Sequence, residues 1–332
     1  MTKKRVLSGT RATGKLHLGN YLGAVKGYIE LAENPEFETF YMVADLHSVN
    51  VPYDPKNFRE RTRDVVLDYL ACGLDPEKST IFIQSLIPEQ IELFYLLSTQ
   101  VSVARMLHLP TYKEKVKLQP QDVNMALLNY PVLMAGDILA YKAHAVPVGV
   151  DQLPHLEIAR EVARKMNSKF NTSFPEPQPF KTGENYIPSL LGEGKMSKSI
   201  KGSYINLTDS LKTIEEKLAK VPTDSGKGKT IPEKGGVANL MLFVELFQGK
   251  EKRKEYKDDY KNCGVSYRQL KKELAGAIYG ELKPIREKRR KMKESLGYVD
   301  EVISEGTKKA RRVTGETLCE VKEKMGLYER GC

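Results

Sequence analysis

The chain has 332 residues and a formal net charge of +10, from 53 Lys and Arg against 43 Asp and Glu. With 40% hydrophobic and 29% charged residues, it has room for two folded domains, and the composition excludes a long disordered tail or a collagen-like repeat. The charge is uneven: residues 1–200 carry 23 basic and 22 acidic side chains, whereas residues 201–332 carry 30 and 21. A basic surface predicts a polyanionic partner, and this distribution assigns it to the last two-fifths of the chain.

The cysteines and histidines argue against a disulfide framework and against a metal site. None of the 4 cysteines is spaced as CxxC, and no two of the 5 histidines are spaced as HxxxH. We therefore expect no protein-held metal and a reducing, cytoplasmic location. The basic N-terminus precedes an apolar stretch too short for a signal peptide. Because no apolar run approaches about 18 residues, we expect no membrane span.

In the first half of the chain, buried-strand patterns alternate with helical periodicity. Strands are predicted at 5–8, 39–44, 80–84 and 145–148, helices at 20–33, 58–71, 89–97 and 130–141, and a glycine-containing loop at 9–15. This alternation is typical of an α/β fold with a Rossmann-like, doubly wound parallel sheet. In such sheets, ligands bind beyond the carboxyl ends of the strands.

After about residue 205 only helices are predicted, at 211–219, 237–247, 267–279 and 299–325, with a Gly-, Lys- and Pro-rich loop at 224–236. We expect a catalytic domain over 1–204, a C-terminal helical domain over 205–292, and a last helix over 293–332 that packs back toward the catalytic domain. The basic runs 250–254 and 286–293 are candidates for nucleic-acid contact, although such a run can also be a solvated face.

The first glycine loop resembles a phosphate-binding P-loop but lacks one of its essential residues. Residues 9–15 match the GxxxxGK frame. However, Leu16 stands where a P-loop needs Ser or Thr to hold magnesium, and the predicted helix begins only after Gly19. A P-loop NTPase is therefore disfavoured.

A different motif follows at once, in which His17 and Asn20 flank Gly19 at the start of a helix. The glycine allows close approach of a nucleotide, the helix start offers N–H groups to phosphate, and the two side chains can donate hydrogen bonds. Four residues alone could equally be an Asn N-cap beside a surface His.

The second motif is a polar loop at 195–199 that carries two lysines three residues apart, Lys195 and Lys198. Two ammonium groups on such a loop can close over a triphosphate and stabilise its developing charge. Alone it would be a solvated charge run. Together, HLGN at 17–20 and KMSKS at 195–199 resemble the paired signature of class I aminoacyl-tRNA synthetases.

Further segments resemble the bacterial-type tryptophanyl-tRNA synthetase family over essentially the whole chain. They are SGTRATGKLHLGNYLGAVKG, VADLHSV, IFIQS, LNYPVLMAGDILAY and VPVGVDQLPHLE. The resemblance implies activation of L-tryptophan with ATP, with Mg²⁺ bound to the ATP, transfer to tRNA(Trp), an anticodon-binding helical domain and a homodimer. The alternatives are a tyrosyl-tRNA synthetase, which shares the architecture, and a non-catalytic paralogue that senses tryptophan or binds RNA.

The predicted helix at 130–141 discriminates between the two amino acids. Tyr130, Met134 and Asp137 are spaced i, i+4 and i+7 and share one helix face. In tyrosyl enzymes the position three before the Asp is typically Gln, whereas Met134 is an adaptable apolar side chain suited to an indole ring. By resemblance, Asp137 accepts the indole N–H, because a carboxylate on an otherwise apolar helix needs a partner. Otherwise it would be a surface Asp on an amphipathic helix.

The resemblance also implies the other site residues. The catalytic residues would be His17, Asn20, Lys195 and Lys198. Tryptophan would be bound by Leu7, His47, Tyr130, Met134, Asp137, Val146, Val148 and Gln152. ATP would be bound by Arg11, Ala12, Thr13, Gly19, Asn20, Lys115, Gly149, Val150, Asp151, Ile187, Lys195, Met196, Ser197, Lys198 and Ser199.

Three of these positions depart from the usual family pattern, and two are open to another interpretation. Arg11 stands where many relatives have Gln, Leu7 where an aromatic residue is frequent, and Val150 where an acidic residue is frequent. His47 could instead be a core histidine. The register of Lys115 is uncertain because Lys113 lies two residues before it.

Overall fold

The computed structural model describes residues 3–118, 120–181, 186–198 and 200–328. The chain forms two compact units. The first comprises Met1–Gly14, Gly27–Thr182 and Ser295–Cys332, and the second comprises Lys15–Lys26 and Gly183–Glu294. The predicted domain boundaries at 204/205 and 292/293 stay a prediction.

The first unit is built on a parallel sheet of five strands in the order β3-β2-β1-β4-β5. The strands are β1 (Lys4–Arg11), β2 (Phe37–Ala44), β3 (Ser79–Ile83), β4 (Ala145–Pro147) and β5 (Gln178–Phe180). The predicted Rossmann-like, doubly wound α/β fold is confirmed. Strand order reverses between β1 and β4, which is where such sheets bind their ligands.

Helices cover the sheet of the first unit. They are α3 (Pro55–Cys72), α4 (Pro88–Ser98), α5 (Val103–Leu107), α6 (Pro110–Leu118), α7 (Met125–Ala140), α8 (Leu153–Phe170) and α13 (Leu296–Lys324). One large apolar cluster joins β1, β2 and β3 to α4, α7, α8 and α13. The C-terminal helix α13 packs on β3 and α4 and contributes Ala310, Val313, Leu318 and Val321 to that cluster.

The second unit is helical and contains α9 (Leu211–Ala219), α10 (Gly236–Gln248), α11 (Lys250–Asn262) and α12 (Tyr267–Glu294). The predicted loop at 224–236 contains no helix or strand up to residue 235, and its last residue, Gly236, begins α10. Within the described residues, no helix combines the length and the apolar character needed to cross a bilayer.

Several element boundaries differ from the predictions. Strand β1 runs through Arg11 rather than ending at Ser8, because Gly9, Thr10 and Arg11 pair with the last residues of β2. Gly9 permits this pairing, since a Cβ there would lie 2.8 Å from the carbonyl oxygen of Met42. The helix predicted at 20–33 consists of α1 (Leu18–Asn20), a π-helical turn (Tyr21–Val25) and α2 (Lys26–Glu33).

Candidate active site

The carboxylate of Asp137 is the most buried charged group among the predicted site residues, with no exposed surface. It accepts hydrogen bonds from three side chains brought by different elements. Gln84 Nε2 lies 2.8 and 3.0 Å from its two oxygens, Gln90 Nε2 lies 3.0 Å from Oδ1, and His47 Nε2 lies 2.8 Å from Oδ2. Gln84 follows β3, His47 follows β2, and Gln90 lies on α4. The alternative of a surface Asp is therefore wrong.

The two glutamine amides are themselves held by hydrogen bonds. Tyr141 donates to Gln90 Oε1 at 3.2 Å, and the backbone N–H of His47 donates to Gln84 Oε1 at 3.4 Å. These contacts turn the Nε2 donors of both amides toward Asp137. Burial raises the pKa of Tyr141 well above its usual value, and the Asp137 charge adds to this, so the hydroxyl stays protonated and remains a donor.

The four apolar residues predicted to bind tryptophan lie in or against the main apolar cluster of the first unit. Leu7 and Val146 are almost fully buried in the main cluster, and the half-buried Met134 and Val148 pack against it. All four therefore belong to this cluster or border it, and their contact with an indole stays a prediction.

A second chain of hydrogen bonds links Tyr130 to the turn after β4. The Tyr130 hydroxyl lies 2.6 Å from His155 Nε2, and His155 Nδ1 lies 2.9 Å from Gln152 Oε1. Gln152 Nε2 in turn donates to Asp151 at 2.7 Å. Thr111 Oγ1 also lies 2.9 Å from His155 Nε2. His155 was not predicted as a site residue, although it belongs to the VPVGVDQLPHLE segment.

Lys115 lies beside the same tyrosine, with its Nζ 3.7 Å from the centre of the Tyr130 ring. Loss of hydration, and second the charge of Arg11, lower the pKa of Lys115 to about 8. Lys113 is exposed. This geometry favours Lys115 over Lys113 as the lysine predicted to bind ATP.

The residues after β1 and β4 form two turns at the carboxyl edge of the sheet. Ala12 is buried, and its N–H donates to Ser48 Oγ at 2.8 Å. The side chains of Arg11 and Thr13 are exposed. After β4, Val150 is 73% exposed and Asp151 lies in a short 3₁₀ turn. In the described residues, no group of three or more His, Cys, Asp or Glu could hold a metal ion.

In the second unit, His17 is the N-cap of α1 and is buried. Its Nδ1 accepts from the backbone N–H of Asn20 at 3.3 Å, and its own N–H donates to Asn20 Oδ1 at 3.1 Å. The alternative, an Asn N-cap beside a surface His, is therefore wrong, because the buried His17 is the N-cap and Asn20 lies three residues into the helix. Since Nδ1 accepts, the ring proton lies on Nε2. Burial, and then the charges of Lys198 and Lys195, lower the pKa of His17 to about 3, so the ring is neutral.

The N–H groups at this helix start are already paired in the structure. Leu18 donates to the Ile205 carbonyl at 2.8 Å, and Gly19 donates to Met196 Sδ at 3.2 Å. The expected open N–H groups for phosphate are therefore engaged within the unit.

The described part of the KMSKS loop is tied to its surroundings at successive residues. Met196 N–H donates to the carbonyl of the buried Ile187 at 2.9 Å, and Ser197 N–H donates to Ser203 Oγ at 3.2 Å. The Lys198 ammonium donates to the Lys15 carbonyl, and Lys195 is exposed. Ser199, predicted to bind ATP, lies outside the described residues.

Comparison with known proteins gives matches over most or nearly all of the chain. The family model described as class I tRNA synthetases (W and Y) matches residues 2–283. A Porphyromonas gingivalis protein called tryptophan–tRNA ligase is 39% identical over 97% of this chain and 99% of its own length. A Thermotoga maritima protein of the same name is 42% identical, with the same two coverages. The crystal structure of a Campylobacter jejuni tryptophanyl-tRNA synthetase with ADP and tryptophan superposes with a TM-score of 0.84, at 30% identity, covering 97% of this chain and 100% of that one.

Proposed function

The chain belongs to the class I tRNA synthetases of the W and Y group, and from that premise we propose that it is a tryptophan–tRNA ligase. The observation that carries the choice of amino acid is the buried Asp137 carboxylate with Met134 one helical turn before it. A carboxylate fixed by donors can accept an indole N–H, while Met134 offers an apolar surface to the ring. The relatives named tryptophan–tRNA ligase support the same substrate.

The reaction has two steps. An oxygen of the tryptophan carboxylate attacks the α-phosphorus of Mg·ATP, the bond to the β-phosphate oxygen breaks, and pyrophosphate leaves. A hydroxyl of the terminal tRNA ribose then attacks the carbonyl of the tryptophanyl-adenylate, and AMP leaves. Because the first nucleophile is already ionised, catalysis consists mainly of positioning and charge stabilisation.

In the first step, we assign charge stabilisation to the second unit. The Nε2–H of His17 and the amide N–H groups of Asn20 are donors, and Lys195 and Lys198 supply positive charge. Neutral His17 suits this role, because a neutral donor keeps the same hydrogen-bonding state throughout the working pH range. Met196, Ser197, Gly19 and Ile187 would shape the nucleotide site around them, and Ser199 would extend it.

In the first unit, we assign recognition of the two substrates to the edge of the sheet. Asp151 would hold the ribose hydroxyls and Lys115 the triphosphate, and the turn residues would adjoin the nucleotide; these are Arg11, Ala12, Thr13, Gly149 and Val150. Mg²⁺ enters with ATP as part of the substrate and keeps most of its waters. Tyr130, Gln152 and His47 would complete the tryptophan pocket.

We further propose a cytosolic homodimer that binds tRNA(Trp). Large exposed apolar side chains cluster in one stretch, Tyr95 at 69%, Val103 at 62% and Leu107 at 43%. They lie on α4 and α5, and both helices pack on α7. An exposed apolar surface of this kind favours a protein interface. Sedimentation should give a dimer for the unaltered chain and a monomer for Tyr95→Lys combined with Val103→Lys. A monomer for the unaltered chain would contradict the proposal.

The deciding experiment for the function is ATP–pyrophosphate exchange measured with tryptophan and with tyrosine. Tryptophan-dependent exchange, followed by charging of tRNA(Trp), is expected. Exchange that depends on tyrosine would instead make the chain a tyrosine–tRNA ligase. Binding of tryptophan without exchange would make it a non-catalytic relative.

A further inference from the structure

His155 joins two side chains that the proposed function assigns to tryptophan binding. It is 2% exposed, and its ring meets Tyr130 edge-on, with centroids 4.8 Å apart. One ring nitrogen faces the Tyr130 hydroxyl at 2.6 Å and the other faces Gln152 Oε1 at 2.9 Å. Neither of the two signature motifs contains this residue.

The surroundings of His155 determine which ring nitrogen carries the proton. The carboxylate of Asp151 accepts from Gln152 Nε2 at 2.7 Å, so the Gln152 amide is oriented with its oxygen toward His155. An amide oxygen can only accept, so the proton of the ring is on Nδ1. Nε2 is then an acceptor. Two hydroxyls face it, and that of Tyr130, at 2.6 Å, lies closer than Thr111 Oγ1, at 2.9 Å, so we take Tyr130 as the donor.

The protonation states agree with this assignment. Loss of hydration, and then the positive charge of Lys115, lower the pKa of His155 to about 4, so the ring is neutral at working pH. Burial raises the pKa of Tyr130, so its hydroxyl keeps the proton that it donates.

The Tyr130 hydroxyl has one hydrogen, which it donates to His155. Its oxygen can therefore only accept a hydrogen bond from a ligand. The side-chain oxygen of Gln152, Oε1, can accept one hydrogen bond besides the one from His155. The tryptophan group that carries N–H donors at its amino-acid end is the α-ammonium. The carboxylate of tryptophan has only acceptor oxygens, so the two acceptor oxygens of Tyr130 and Gln152 would repel it.

We propose that His155 is a positioning residue that turns the Tyr130 and Gln152 oxygens into a pair of acceptors for the α-ammonium of tryptophan. This role rests on the proposed function and deepens it. His155 does not touch the substrate, and it acts by fixing the direction of two hydrogen bonds.

Because the chain contains no tryptophan and 17 tyrosines, indole ligands can be excited selectively at wavelengths that tyrosine does not absorb. Binding is therefore measured by fluorescence titration with three ligands. Tryptophan has both end groups, tryptamine has only the ammonium, and indole-3-propionate has only the carboxylate.

The variants are His155→Phe, which removes both contacts, and His155→Gln, which keeps an acceptor near Nε2 if the aromatic variant fails to fold. His108→Phe is the control, since it makes the same substitution at an exposed histidine whose Nδ1 faces the Ala104 carbonyl. Melting temperatures are recorded for all of them.

We expect His155→Phe to weaken tryptophan and tryptamine at least ~10-fold, as loss of oriented hydrogen bonds to a charged group implies, with His155→Gln intermediate. Indole-3-propionate should bind within about 2-fold of the unaltered protein. In exchange assays KM for tryptophan should rise more than kcat falls, because the attacking carboxylate is untouched.

Two results would overturn this role. An equal loss for tryptamine and indole-3-propionate would mean that His155 is only structural, and no loss for either would mean that it does not act on the site. In both cases tryptophan-dependent exchange by the unaltered protein would leave the proposed function standing. An unaltered protein without such exchange would remove the function and this role together.

Discussion

The sulfur of Met196 accepts a hydrogen bond from the backbone N–H of Gly19 at 3.2 Å, which joins the KMSKS loop directly to the HLGN motif. The contact is possible because Gly19 has no side chain. A Cβ there would lie 3.0 Å from two atoms of the His17 ring and 3.2 Å from Met196 Cβ. His17 is buried and caps the helix, so it has little room to yield.

Gly19→Ala should therefore disturb ATP use more than folding. We expect kcat/KM for ATP to fall at least ~10-fold, since displacement of a positioned donor by a fraction of an ångström is costly. Tryptophan affinity, measured by fluorescence, should stay unchanged. The matched control is Gly276→Ala on α12, where an added Cβ meets no atom within 4 Å. Equal ATP kinetics for the two variants would refute the close-approach argument.

The two lysines of the KMSKS loop should contribute mainly to the transition state. Lys195→Ala and Lys198→Ala are each expected to lower kcat for adenylate formation at least ~10²-fold, with a smaller effect on tryptophan binding. Lys201→Ala removes the same charge from an exposed lysine three residues after Lys198 and serves as the control. Unchanged exchange rates in either loop variant would exclude that lysine from the chemistry.

The sheet and the signature motifs were predictable because their signals are local. Strand β2 ends in a run of apolar residues over 40–44, and HLGN and KMSKS are contiguous. The contacts between the motifs are not local: Met196 reaches Gly19 across 177 residues, and Gln90 reaches Asp137 across 47. Side-chain direction decides such pairs, and periodicity does not encode it.

Other features were missed although a signal existed. Helix α8 buries Leu156, Ala159, Val162, Ala163 and Met166 at helical spacing, a pattern that was readable. Gln84 stands in the IFIQS segment directly after a strand, where polar side chains often face a site. The helix predicted at 267–279 extends 15 residues further, because α12 continues past Pro284 to Glu294.

The Asp137 network predicts how the indole N–H is recognised. Asp137→Ala should lower kcat/KM for tryptophan and should shrink the penalty that the unaltered enzyme shows for 1-methyltryptophan, which lacks that N–H. Gln90→Leu should have a smaller effect, about 10-fold, because Gln84 and His47 still donate to the carboxylate. Initial rates of exchange with both amino acids give the comparison. A 1-methyltryptophan penalty that is undiminished in Asp137→Ala would argue against the contact.

The buried histidine His17 predicts acid sensitivity of the fold. Its pKa is lowered to about 3 in the folded chain, whereas the unfolded chain binds a proton near pH 6.5. The unfolded state therefore binds more protons between these values, and stability falls as pH drops through that window. For one such group, the free energy of unfolding falls by up to about 2 kcal/mol by pH 5.

His17→Gln removes the titrating group, so its melting temperature should fall less between pH 7 and pH 5 than that of the unaltered chain. His108→Gln, at an exposed position, is the control and should follow the unaltered chain. If His17→Gln and the unaltered chain lose the same number of degrees, His17 does not titrate as its burial requires.

The charge of the helical unit gives the last prediction, which concerns tRNA. Not all of its basic residues are available, because Arg253 pairs with Glu245 and Arg286 stacks on the Tyr279 ring at 3.7 Å. On the last turns of α12, four cations are exposed: Lys288, Arg290, Lys291 and Lys293. These are the residues that we expect to meet phosphates.

Charging of tRNA(Trp) should weaken as salt rises, through release of counterions from the RNA. Lys288→Glu combined with Lys291→Glu should raise KM for tRNA. It should also make the slope of log affinity against log salt concentration shallower by about 2, one for each lost phosphate contact. Pyrophosphate exchange, which needs no tRNA, should not change. Lys308→Glu with Lys309→Glu on α13 makes the same charge change at another exposed pair. If both double variants change KM for tRNA equally, the effect is one of net charge and the α12 surface has no special role.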